Sequence, residues 1–252
     1  GVQTCALPIY LFLITHFFNP PRTMRLLEVV AAPDRGKVTS DAVIDFADRA
    51  LGKTVVRCRD RPGFIANRLG CFWMQVAMLL AVEQGLTVEE ADAVMGNRFG
   101  IPRTGVFGLA DLVGVDLMPS VNASLATTLE SDDLFQTVNR PIAPVERMIA
   151  AGLTGRKSGG GFYRQARDPG HGKESIDLES LAYRPMVPVD VPNGEGLFGS
   201  SSRLGRYGTA VMARTLRQGK SASPRHSLVQ PWAVERFMRR ATRMAAANAS
   251  RI

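Results

Sequence analysis

The chain is short of the residues that build covalent or metal frameworks. It has three cysteines, Cys5, Cys58 and Cys71, in 252 residues. An odd number with no C-x-x-C spacing suggests neither a disulfide framework nor a zinc site, and reduced cytoplasmic thiols are expected. No His/Cys/Asp/Glu group shows metal-ligand spacing, so no metal is expected. No apolar run reaches the roughly 18–20 residues that a membrane span needs, so no span is expected. Acids are scarce at one end: residues 201–252 hold eleven Lys/Arg and one acid, Glu235, a net of +10. Residues 1–200 carry a net of −2, so the overall +8 belongs to the tail. A near-neutral body argues against a nucleic-acid-binding main domain.

What is there is core-forming: 45% of the residues are hydrophobic. Residues 1–9 read like the in-frame translation of a sequencing adapter and are set aside as an artefact. Residues 10–16 read as a buried strand of a parallel sheet, and residues 26–30 as a second strand. Thr39 or Ser40 is expected to cap a helix with the apolar face Val43, Phe46, Ala47, Ala50 and Leu51. Gly52 stands where a left-handed C-cap belongs, and residues 53–58 are a third strand. The turn Asp60-Arg61-Pro62-Gly63 marks a domain boundary. Beyond it residues 65–84 predict one central, mostly apolar helix closed by Gly85. Thr87-Val88-Glu89-Glu90 is a capping box. After a loop at residues 100–105, helices are expected over 106–113 and 116–130, and Pro144 opens a short one that Gly152 ends. A glycine-rich turn over residues 155–163 ends in Phe162-Tyr163. Past residue 165 the periodicity fades. Residues 185–225 read as linker or disorder, and 230–247 as one basic amphipathic helix.

The fold expected is mainly α with a small α/β part. Residues 10–60 are the remnant of a Rossmann-type parallel sheet, 61–165 an all-helical domain, and 166–252 a linker or irregular basic tail.

His16 and Glu28 are the candidate chemical pair. Histidine titrates near neutrality, and a neighbouring carboxylate fixes its tautomer and raises its basicity. If strands 10–16 and 26–30 are neighbours, Glu28 can reach the imidazole. Taken alone, each residue also reads blandly, as a hydrogen-bonded core histidine and a strand-end charge.

The wider set is more specific. His16-Phe17-Phe18-Asn19-Pro20 with Met24-Arg25-Leu26-Leu27-Glu28-Val29-Val30 resembles the signature of NAD-dependent 3-hydroxyacyl-CoA dehydrogenases of fatty-acid β-oxidation. Four further blocks follow in the family's order. They are the segment from Asp60-Arg61-Pro62-Gly63 to Arg68, Gly100-Ile101-Pro102, residues 108–116 and residues 155–163. Pro20-Pro21-Arg22 and Tyr183-Arg184-Pro185 look most like the bacterial form fused to an enoyl-CoA hydratase domain. The resemblance implies that His16 is the general base for the 3-hydroxyl, that Glu28 orients it, and that Asn67 positions the substrate. It implies Lys157 and Asn19 as NAD contacts. Lys157 also reads as a solvated loop lysine, and Asn19 as a turn-stabilising residue.

The family begins with a dinucleotide-binding strand, G-x-G-x-x-G turn and helix, and no such motif is read in this chain. The expectation is therefore a fragment of a 3-hydroxyacyl-CoA dehydrogenase, inactive as this chain, aggregating or dimeric through its helical domain. The competing reading is a non-enzymatic helical dimerisation module whose basic tail binds RNA or a membrane surface.

Overall fold

Leu27, Glu28, Val29 and Val30 are all buried, which makes their strand the middle of a sheet rather than its edge. The structure is a computed structural model and describes residues 12–31, 37–96, 104–166, 172–191 and 202–221. The chain divides into two compact units, one ending at Arg68 and the other beginning at Leu69.

In the first unit, β1 (Leu13–Phe17) runs antiparallel to β2 (Leu26–Ala31), and β2 runs parallel to β3 (Thr54–Cys58). The order is β1-β2-β3. Helix α1 (Lys37–Arg49) supplies the crossover that a parallel pair requires. Ala47 is buried against Leu27 and Val29, with Ile44 beside it. Gly52 has φ +60, the left-handed conformation expected of it.

Three readings change here. The first strand is neither parallel nor buried: Ile14 and Phe17 are exposed, and only Leu13 and His16 are half-buried. Thr39 and Ser40 lie inside α1 rather than capping it. Ser40 is buried and accepts a hydrogen bond from Arg57 on β3, so its hydroxyl serves tertiary packing. The packed face of α1 is Val43, Ile44 and Ala47, while Phe46 and Leu51 are exposed.

The second unit is built round α2 (Ala66–Glu83), whose residues Phe72 to Ala81 are all buried. Gln75 is the polar exception. Its amide donates to the carbonyls of Val138 and Arg140 and accepts from Asn122, which satisfies a group that would otherwise be costly to bury. Thr87 and Glu90 form a reciprocal capping box on α3 (Val88–Val94). Then come α4 (Gly105–Val113), α5 (Leu117–Thr128), α6 (Leu134–Val138) and α7 (Ala143–Ala150). The five-residue α6 has too few turns to show a period; Asp133 caps it. The loop expected at 100–105 lies outside the described residues up to 103.

This unit is not all-helical. Strands β4 (Tyr163–Gln165), β5 (Lys173–Ile176) and β6 (Tyr183–Pro185) form an antiparallel meander. Its cross-strand contacts are largely polar: Arg164 pairs with Glu174 and stacks on Tyr183 at 3.7 Å. Such strands carry no apolar alternation to read. Residues 203–221, expected as linker, form helix α8 (Arg203–Ser221). Its Tyr207 is fully buried and donates to the Ala77 carbonyl at 3.1 Å. The basic helix anticipated at 230–247 lies outside the described residues.

The glycine-rich turn is explained by Asp111. Its carboxylate accepts from the amides of Phe162 and Tyr163, both at 2.8 Å. A Cβ on Gly161 would fall 2.1 Å from that carboxylate, so no side chain fits there. No single helix among the described residues is long and apolar enough to cross a membrane, and no metal-ligand group occurs among them.

Candidate active site

The antiparallel register places His16 directly opposite Glu28. Cross-strand partners point their side chains to one face, so adjacency follows from register alone. The imidazole Nδ1 lies 2.7 Å from Glu28 Oε2. Glu28 is 1% exposed and His16 30% exposed, so a buried carboxylate holds a ring that still reaches solvent.

The other carboxylate oxygen is also engaged. Glu28 Oε1 accepts from the backbone amides of Ile65 at 3.0 Å and Ala66 at 2.8 Å, where α2 begins. Three contacts thus occupy both oxygens of one buried carboxylate. An anionic Glu28 accepts the Nδ1 proton of a neutral imidazole, and this leaves the Nε2 lone pair as the free basic position. Nε2 makes no hydrogen bond among the described residues. The imidazole is flanked by Phe18 at 4.6 Å and Phe64 at 5.9 Å between ring centroids. The Cys58 thiol sits by the same carboxylate. Burial first, and then the Glu28 charge, push it up to about 12.

The loop between β1 and β2 has its own support. The Asn19–Pro20 peptide is cis. Thr23 and Met24 donate to the Pro20 carbonyl. The buried Lys53 donates to the carbonyls of Pro21 and Met24, the latter at 2.7 Å. Asn19 is exposed, and its side chain makes no hydrogen bond among the described residues.

The other candidates are placed as follows. Asn67 is the second residue of α2, exposed, next to the amides that hold Glu28. Lys157 lies in the second unit, in a 3-10 turn at Arg156–Ser158, and its ammonium is 2.6 Å from Asp116. That contact holds the Asp116 carboxyl below the usual aspartate range. The structure thus brings together His16 and Glu28, and sets Asn67 beside the turn that supports them. Sequence reasoning missed Phe64, the two amides and Lys53. The only visible signals were a Gly63-Phe64 step after the proline turn and a lysine following the Gly52 cap.

The spacing G-x-G-x-x-G does occur once, at Gly194-Glu195-Gly196-Leu197-Phe198-Gly199. It lies outside the described residues, C-terminal to both segments matched below.

Two family models match in tandem. The NAD binding domain of 3-hydroxyacyl-CoA dehydrogenase matches residues 8–61, and the C-terminal domain of the same enzyme matches residues 63–165. The putative fatty acid oxidation complex trifunctional enzyme of Rickettsia prowazekii is 37% identical over 204 residues, 80% of this chain and 28% of its own length. The probable 3-hydroxyacyl-CoA dehydrogenase of Deinococcus radiodurans is 36% identical over 157 residues, 62% of this chain and 44% of its own. The chain therefore spans less than half of either relative. An alignment of 204 residues cannot fit within residues 1–165, so the likeness continues into the segment read as linker. The crystal structure of (S)-3-hydroxybutyryl-CoA dehydrogenase PaaH1 from Ralstonia eutropha superposes with a TM-score of 0.51 at 33% identity, covering 60% of this chain and 50% of that one. With both domain models in order on one chain, and the motif histidine and glutamate in direct contact, this chain belongs to the 3-hydroxyacyl-CoA dehydrogenase family.

Proposed function

We propose that the protein to which these residues belong oxidises 3-hydroxyacyl-CoA to 3-oxoacyl-CoA with NAD. The observation that carries this reading is the 2.7 Å contact between His16 Nδ1 and a buried Glu28. Oxidising a secondary alcohol needs a base for the hydroxyl proton and an acceptor for hydride. His16 Nε2 is the base. None of the side chains around it can take up hydride, which fits a bound nicotinamide as the acceptor. Glu28 orients the ring and stabilises the imidazolium as the proton arrives. General-base catalysis of this kind contributes about 10²–10⁴-fold.

Asn67 is read as a substrate-positioning residue, and Asn19 and Lys157 as cofactor contacts. For Lys157 that role requires exchanging Asp116 for the cofactor. A homodimer through the helical unit is supported by the exposed apolar residues Leu112, Val113, Leu117 and Val121 of α4 and α5. A cytoplasmic setting is supported by cysteines with no paired spacing.

The test is oxidation of NADH by acetoacetyl-CoA, followed at 340 nm, with the full-length protein. Turnover is expected. A folded full-length protein that consumes no NADH overturns the reading.

A further inference from the structure

Phe64 is a bulky residue held in a left-handed backbone conformation, φ 44. Such residues adopt that region only where the surroundings enforce it, and these positions cluster at functional sites. The conformation does two things at once. It turns the chain so that the consecutive amides of Ile65 and Ala66 converge on Glu28 Oε1, a backbone nest for an anion. It also sets the phenyl ring 5.9 Å from the His16 ring, at 57°, with Phe18 as the other neighbour at 4.6 Å. The turn is tied on both sides: Phe64 N donates to the Arg61 carbonyl, and Arg68 N donates to the Gly63 carbonyl. Glycine would take this backbone without strain, as Gly63 does beside it at φ 72. The turn geometry alone therefore does not call for phenylalanine.

We infer that Phe64 is a positioning residue for the base: its strained backbone aims two amides at Glu28 while its ring confines the His16 imidazole to the plane in which Nδ1 meets Glu28 and Nε2 stays free. The inference deepens the proposed function and rests on it. A hydrogen bond fixes one point of the imidazole; rotation about that contact is limited by what packs on the ring. Phe18 borders it from β1's own end, and Phe64 comes from a segment far along the chain. Without Phe64 the ring gains room to tilt or flip, and the Nδ1–H form loses its preference.

The test is nitrogen-15 NMR of the histidine rings in the full 252-residue chain across a pH titration. His16→Gln identifies the His16 signals among the three histidines. In the wild type, neutral His16 is expected to carry its proton on Nδ1. Phe64→Gly keeps the backbone accessible and removes the ring, so a mixture of tautomers and a displaced titration midpoint are expected. Phe64→Leu, which keeps the bulk and the backbone constraint, should give an intermediate result and serves if the glycine variant fails to fold. Phe64→Tyr should restore the wild-type signature. Folded Phe64→Gly or Phe64→Leu chains with an unchanged tautomer and midpoint overturn this inference and leave the proposed base intact. A wild type whose neutral His16 is protonated on Nε2 overturns both.

Discussion

Glu28 joins three segments distant in sequence: the His16 ring, the strand it sits on, and the amides that open α2. A carboxylate 1% exposed is expensive to bury unless its oxygens are occupied, and here both are. The same group raises the proton affinity of its other neighbour. Cys58, at about 12, and Cys71, pushed by burial up to about 11, stay as thiols near neutrality. Thiolates, not thiols, react with alkylating agents. Iodoacetamide at pH 8 is therefore expected to leave Cys58 and Cys71 unmodified in the native chain and to label both after denaturation, as read by peptide mass spectrometry. Rapid native labelling of Cys58 would contradict its placement beside Glu28.

At the scale of elements, buried acids set the pH response of the helical unit. Asp92 accepts from the amides of Phe107 and Gly108 at the start of α4 and from the Tyr163 hydroxyl. Burial outweighs these bonds and pushes Asp92 up to about 7; it pushes Asp111 to about 6. The folded state then binds more protons than the unfolded chain between about pH 4 and 7. Stability from this source is full below that window and is lost as the pH rises through it. The melting temperature of wild type minus that of Asp92→Asn is expected to be larger at pH 5 than at pH 8. The reverse order, or no change, would contradict it. Helix α8 gives a second prediction. Tyr207→Ala should destabilise the chain by about 3–5 kcal/mol in urea titrations, as for a buried aromatic, whereas a residue in a linker would cost nothing.

The elements that were legible in the sequence are those whose periodicity is long or whose caps are unambiguous: the central α2, the Thr87–Glu90 box and the Gly52 cap. Those that were not had physical reasons to be silent. Strands β4 to β6 are three or four residues long and paired through Arg164, Glu174 and Tyr183, so no alternating pattern marks them. Helix α8 lay in a composition of Ser, Gly and Arg that resembles linker, although Tyr207 and Val211 are buried and Leu204, Ala210 and Met212 pack beside them. The antiparallel pairing of β1 with β2 was not legible because the loop between them is supported from a distant segment, by Lys53 at its carbonyls. At the site, His16 and Glu28 were readable because their chemistry is borne by side chains. The support from Ile65 and Ala66 comes from backbone amides, which any residue type supplies and no sequence pattern marks.

For the whole molecule, charge and apolar surface are distributed separately. The net +10 of residues 201–252 sets that end apart from the near-neutral remainder. The apolar exposure of α4 and α5 falls on the helical unit, where Leu112, Val113 and Leu117 are each close to half exposed. Self-association through this patch should be hydrophobic and insensitive to salt. Sedimentation is expected to show a dimer that Leu117→Arg converts to monomer, while sodium chloride does not. A wild-type monomer would contradict that assignment without touching the chemistry.

The proposed chemistry stands on His16 as the proton acceptor. The direct measurement is kcat for acetoacetyl-CoA reduction, the reverse of the proposed oxidation, by full-length protein carrying His16→Gln, with folding verified by its melting curve. A loss of about 10²-fold or more, with KM little changed, is the predicted result. A folded variant that retains wild-type kcat would contradict it.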